Sequence, residues 1–183
     1  WDMLNSSEIG TATLALFPSE LLPAGHILLE SMYQLSIQHP LQHKIRPFLQ
    51  EASVRVVNLE NNAKDLADVL AEEKLQESLT TIKPKLAREI IKSKKEDVRV
   101  LSQQADELAK QRLNAACEQA KSNAQAYYEH ELARLNKLQQ VNASCDEDEI
   151  HQLTEEFEQI LLAIKDNIRL IQSSLRLIIT APK

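Results

Sequence analysis

Glycine is almost missing from this chain: Gly10 and Gly25 are the only two in 183 residues. A phosphate cradle needs glycines so that backbone N–H groups can close on the anion. Two glycines fifteen positions apart supply no Walker loop, no dinucleotide fingerprint and no nucleophile elbow, so no nucleotide hydrolysis is expected within the chain. Cysteine is equally scarce. Cys117 and Cys145 match no metal-ligand spacing. On the helical reading below they stand about 30 Å or more apart, too far for a disulfide, which predicts a reducing, cytoplasmic setting. No apolar run approaches the ~20 residues of a membrane span. The net charge of −6 disfavours indiscriminate nucleic-acid binding but leaves room for a local basic patch. The sequence opens on Trp1, not Met, and reads as a piece of something longer.

What is present is helical periodicity. Leu86, Ile90, Val98, Leu101, Ala105, Leu108, Leu113, Ala116, Ala120, Ala124, Tyr127, Leu132, Leu135 and Leu138 recur every three or four residues, the mark of one buried helical face. A second row runs through Ile150, Leu153, Phe157, Ile160, Leu161, Ile164, Ile168, Ile171 and Leu175. Between them, residues 141–148 are polar and rich in turn formers, and Ser144-x-x-Glu147 has capping-box spacing. Together these predict a hairpin arm of two antiparallel helices over about 85–174. The first is roughly 80 Å long and the second about 45 Å. Pro84 suits the first turn of the long helix. The second helix covers only the later half of the first, so residues from Lys85 to Leu108 need another partner. Many core positions on the long helix are alanine, which lets helices approach closely but buries little area.

The flanks read as sheet. Thr11–Phe17 is short and stops at Pro18. Leu22-Pro23-Ala24-Gly25 has turn chemistry. The stretch from His26 to Gln38 alternates and ends before Pro40. Ser53–Leu59 is β-branched. His39 to Gln50 reads as a loop, Glu60 to Ala63 as a turn, and Asp65 to Leu79 as a helix. The run from Leu175 to Thr180 returns as a strand. The expected fold class is α+β: an antiparallel sheet of three to four strands, with the C-terminal strand rejoining it, beside the helical hairpin. A single domain over 1–183 is expected, with 1–63 and 175–181 mainly sheet and 64–174 mainly helix.

The chemistry-bearing residues are few. His39 and His43 share a loop at i, i+4. Asp148-x-x-His151 resembles half of a carboxylate–histidine metal pair, but a dimetal centre needs two such halves. Glu129-His130-Glu131 reads as surface. No catalytic residue, cofactor-binding residue or metal ligand is assigned. One constellation stands apart: Lys85, Arg88, Lys92, Lys95 and Arg99 step by 3, 4, 3 and 4. On a helix they form one basic stripe opposite Leu86, Ile90, Val98 and Leu101. It is read in two ways: a solvated face with local pairs to Glu89 and Glu96, or a docking stripe for a phosphate backbone or an acidic protein surface.

An ordered series of segments carries a resemblance. Leu22-Pro23-Ala24-Gly25-His26-Ile27-Leu28-Leu29-Glu30 with Tyr33, Ser53-Val54-Arg55-Val56-Val57, Glu131-Leu132-Ala133-Arg134-Leu135 leading to Val141-Asn142, and Leu175-Arg176-Leu177-Ile178-Ile179-Thr180 resemble, in order, the C-terminal region of the RapA family. These are bacterial RNA polymerase-associated, SWI/SNF-type ATPases. The resemblance implies a parent that binds RNA polymerase, hydrolyses ATP in two upstream helicase-like lobes and promotes polymerase recycling in the bacterial cytoplasm. It implies RNA polymerase and the upstream lobes as partners, with nucleic acid a partner of the parent and at most a weak one of this stretch, and no membrane is expected. The family's nucleotide motifs lie upstream, so no catalytic residue carries over. The rival readings are a helical-hairpin adaptor from another cytoplasmic assembly, and a small hydrolase or metal protein.

Overall fold

The computed structural model describes residues 11–18, 22, 24–141 and 147–182. Its elements are β1 (Thr11–Pro18), β2 (Ile27–Ile37), α1 (Gln42–Ile45) followed by a 3-10 turn (Arg46–Phe48), β3 (Ser53–Leu59), β4 (Asn62–Asp65), α2 (Glu72–Ser78), β5 (Thr80–Thr81), α3 (Pro84–Ser93), α4 (Lys95–Val141), α5 (Glu147–Asp166) and β6 (Ile168–Ala181). The class is α+β, and the C-terminal strand rejoins the sheet. The sheet itself is larger than expected, and mixed. Its order is β4-β3-β2-β6-β1-β5, and β1 runs parallel to β6 from Thr11↔Ser174 to Pro18↔Ala181. Periodicity carries no information on strand direction, and a crossover of this length imposes no hairpin. The two added strands, of four and two residues, are too short to show alternation.

The chain divides into two compact units. One takes the described residues up to Gln34, with Ser53–Arg112 and those from Leu170 on; the other takes Leu35–Ala52 and Leu113–Arg169. In the first unit, period-two alternation sends neighbouring residues of β2 to opposite faces. On one face Leu28, Val57 and Ile178 pack under Ala67 and Leu75, with Phe17 alongside. On the other lies the start of α4, where Val98, Leu101, Ala105 and Ala109 are buried. Asn58 Nδ2 donates to the Leu101 carbonyl at 2.8 Å, and the Tyr33 hydroxyl donates to Asp106 at 2.7 Å. The sheet is therefore the partner that the early half of the long helix requires. Each fully buried Leu or Ile contributes about 1.5–3 kcal/mol.

In the second unit the later part of α4 meets α5. Ala120, Ala124, Leu135, Ile160 and Ile164 are buried. Tyr128 stacks on Phe157 with ring centroids 5.1 Å apart. The tyrosine in the core is Tyr128, 2% exposed; Tyr127, the expected core residue, is 54% exposed. Two adjacent tyrosines both fit a 3.6-residue row. Tyr128 wins because its hydroxyl also reaches Glu156 at 2.7 Å.

Five further expectations are corrected. The long helix is interrupted at Lys94, where φ is −105° and ψ 17°. Ser93 Oγ donates back to the Ile90 carbonyl at 2.9 Å, competing with the helical ladder, and Glu96 and Asp97 favour a new helix start there. The predicted helix from Asp65 shrinks to α2. Asp65 Oδ1 accepts the backbone N–H groups of Val57 and Ala67 at 3.0 and 2.9 Å and holds the chain in a turn. The second long helix stops at Asp166, and Ile168 to Leu175 is strand. Asn167 ends it: its backbone carbonyl accepts from Gln38 N–H at 2.9 Å and its Nδ2 donates to the Gln38 carbonyl at 3.2 Å. The expected loop after His39 contains α1 and the 3-10 turn. The turn before β4 narrows to Glu60-Asn61, with Asn61 at φ 61°. Gly25 sits at φ 85° and donates to the Thr180 carbonyl at 2.8 Å. Pro23, Ser144 of the expected capping box and Cys145 lie outside the described residues.

Candidate functional site

The basic stripe falls on α3 and the first turns of α4. All five of its members, Lys85, Arg88, Lys92, Lys95 and Arg99, are exposed. The interruption at Lys94 divides them into three on α3 and two on α4. Their electrostatic states differ. Arg99 donates Nε and Nη2 to Glu96 Oε1 at 3.0 and 2.6 Å. Those hydrogen bonds, with the attendant charge attraction, hold the Glu96 carboxyl below its usual range and raise the Arg99 guanidinium. The adjacent Lys94 lies 3.1 Å from Asp97 and 3.7 Å from Glu60. Its hydrogen bond to Asp97 is the largest influence on its ammonium and raises its pKa. Lys85, Arg88 and Lys92 have no ion-pair partner among the described residues. Beside them Leu86 is 51% exposed, while Ile90 and Ile91 are half-buried.

The histidines are dispersed. His39 Nδ1 accepts the Leu41 N–H at 3.2 Å, a local turn bond. His151 Nε2 lies 3.3 Å from Glu155 at an exposed position, and His130 lies 3.6 Å from Glu131. Among the described residues, no group of three or more His, Cys, Asp or Glu stands where it could hold a metal ion. Burial pushes the Cys117 thiol up, which keeps it protonated and poorly nucleophilic at neutral pH. Among the described residues no helix is long and apolar enough to cross a membrane.

Sequence periodicity missed the charge networks that fix the scaffold. Glu30, 4% exposed, accepts Arg55 Nε at 2.7 Å and faces Arg176 Nη1 at 2.9 Å. Arg55 also donates Nη1 to the carbonyls of Ala67 and Leu70 at 3.1 and 2.7 Å, which pins the segment before α2 over the sheet. Arg112 of α4 reaches Asp65 at 2.7 Å and Asp68 at 3.1 Å. Burial works against the Arg112 charge, yet the two carboxylates raise its pKa. In the second unit Glu156 is held by Lys44 and by Tyr128. Burial alone would raise the Glu156 carboxyl, but those two bonds and the Lys44 charge outweigh it and hold it below the ordinary value of 4.5. One signal for the first network was legible: a glutamate inside the apolar run Leu28-Leu29-Glu30-Ser31-Met32 requires a buried partner.

Comparison with known proteins places this arrangement. The family described as "RNA polymerase recycling family C-terminal" matches residues 1–180. The RNA polymerase-associated protein RapA of Actinobacillus pleuropneumoniae serotype 5b is 32% identical over 179 residues, covering 94% of this chain and 18% of that protein. Its namesake in Vibrio campbellii is 28% identical over 180 residues, covering 98% of the chain and 18% of the relative. That of Serratia proteamaculans is 27% identical over 165 residues, covering 90% and 17%. The chain thus spans less than a fifth of the length of these curated relatives. With the match running from the first residue nearly to the last, the chain belongs to the C-terminal region of the RNA polymerase recycling family.

Proposed function

We propose that this chain is the non-catalytic C-terminal accessory and interaction domain, over 1–183, of an RNA polymerase-associated, ATP-dependent SWI/SNF-type protein that promotes polymerase recycling during transcription in the bacterial cytoplasm. The observation that carries this reading is the family match over residues 1–180, together with relatives named RNA polymerase-associated of which the chain spans 17% or 18%. Two isolated glycines supply no phosphate-binding loop, so the nucleotide chemistry belongs to the remainder of such a protein. The partners are RNA polymerase, reached through the whole protein, and the ATPase lobes of the same polypeptide. The domain's contribution is shape and contact surface.

The test is a pull-down on immobilised bacterial RNA polymerase, with this chain and the full-length protein that carries it side by side. An ATPase assay is run on each. Polymerase retention by the chain, with hydrolysis confined to the full-length protein, supports the reading. ATP turnover by the chain alone contradicts it.

A further inference from the structure

The five-residue stripe is not electrically uniform. Arg99 is neutralised by Glu96, and the adjoining Lys94 by Asp97 and Glu60. Within the stripe, Lys85, Arg88 and Lys92 have no ion-pair partner among the described residues. Their spacing of three and four puts them on one side of α3, spread over about 10 Å of its axis. The bias extends around them: residues 83–95 hold six cations, Lys83, Lys85, Arg88, Lys92, Lys94 and Lys95, against the single acid Glu89. The helix also leaves Leu86 half in solvent.

We infer that α3 is a docking face for an acidic protein surface, with Lys85, Arg88 and Lys92 as its charged contacts and Leu86 at its margin. The inference rests on the reading above that this domain supplies contact surface to an RNA polymerase-associated protein, and it places one such contact on the polymerase. Two features favour a protein over a phosphate backbone. Glu89 stands four residues after Lys85 and three before Lys92, so it lies among the cations and repels a polyanion. Leu86 gains nothing from phosphates, whose binding is counterion release, whereas a protein surface offers apolar contacts beside its charged ones. An acidic surface carrying one cation opposite Glu89 satisfies every charge on this face.

The experiment measures binding of the 183-residue chain to nucleic-acid-free core RNA polymerase between about 50 and 200 mM salt. The Lys85→Gln/Arg88→Gln/Lys92→Gln variant keeps α3 folded, because glutamine is a good helix former, and circular dichroism checks this. Its affinity is expected to fall by about tenfold or more, with a flatter salt dependence. Arg88→Gln alone gives a smaller loss in the same direction and serves if the triple variant misfolds. Glu89→Lys is expected to bring no gain in polymerase affinity. Wild-type affinity and salt slope in a folded triple variant overturn the inference and leave the proposed function standing. Failure of the wild-type chain to bind polymerase overturns both. Wild-type binding to a bare RNA or DNA duplex that Glu89→Lys strengthens assigns the face to phosphate. Self-association abolished by the triple variant assigns it to a second copy. Either of these last results overturns the inference.

Discussion

Glu30 shows how a single buried charge is held. Its carboxylate is shared by Arg55 and Arg176 from the two strands that flank β2, so its removal leaves two guanidiniums facing one another in a largely buried site. Glu30→Ala is expected to destabilise the first unit by about 3–5 kcal/mol, read as a lower urea midpoint. Glu156 gives a pH dependence of known sign. Its folded pKa lies below the ordinary 4.5, so its stabilisation is present above that value and is lost as pH falls through the depressed folded pKa. Acid unfolding of the second unit, followed by tyrosine fluorescence, is expected to shift accordingly. Glu156→Gln is expected to flatten the profile below pH 4.5, and an unchanged profile would count against the network. Tyr33 answers at the opposite end. Burial first, and then its bond to Asp106, raise its hydroxyl well above the ordinary value of 10. Its contribution is therefore full below that value and disappears as the pH rises through the folded pKa.

Elements stop and start here where side chains compete with the backbone. Asn61 closes the β3–β4 turn at φ 61°, a left-handed conformation that costs most residues about 1–2 kcal/mol. Asn61→Ala is expected to lose about that much stability, while Asn61→Gly loses little or none. Ser93→Ala removes the bond to the Ile90 carbonyl, and is expected to raise helicity by circular dichroism and stabilise α3 by about 0.5 kcal/mol. These boundaries also mark where sequence reading stopped. The strands β1, β2 and β3 and the long apolar row of α4 were legible because period two and period 3.6 are imposed by burial of one face. Ile168, Ile171 and Leu175 satisfy a helical row, yet they sit in a strand, because Asn167 ties the helix end to Gln38, just past the end of β2. That bond joins residues 129 positions apart, and no local pattern reports it. The basic stripe was legible as spacing, since charge and position are sequence properties. Its division at Lys94 and the pairing of Lys94 with Glu60 were not, because they follow from backbone geometry and tertiary packing, whereas the local pair of Arg99 with Glu96 was expected from spacing alone.

At the scale of the whole molecule, the chain divides into two compact units, each with buried charge networks that serve packing, and three cations without an ion-pair partner among the described residues share one side of the short helix α3. The relatives that the chain matches are more than five times longer, and the account assigns energy-consuming chemistry to the part of such a protein that this chain does not span. Substitutions on α3 are accordingly expected to alter partner affinity with little effect on the urea midpoint, whereas core truncations such as Ile160→Ala, at a fully buried site, are expected to cost about 2–5 kcal/mol. The most direct check on the central claim is the equilibrium binding of the isolated chain to bacterial core RNA polymerase, measured without nucleotide. Saturable binding that weakens with salt and is indifferent to added ATP is the result the account predicts. No retention by polymerase, under conditions where the full-length protein binds, would contradict it.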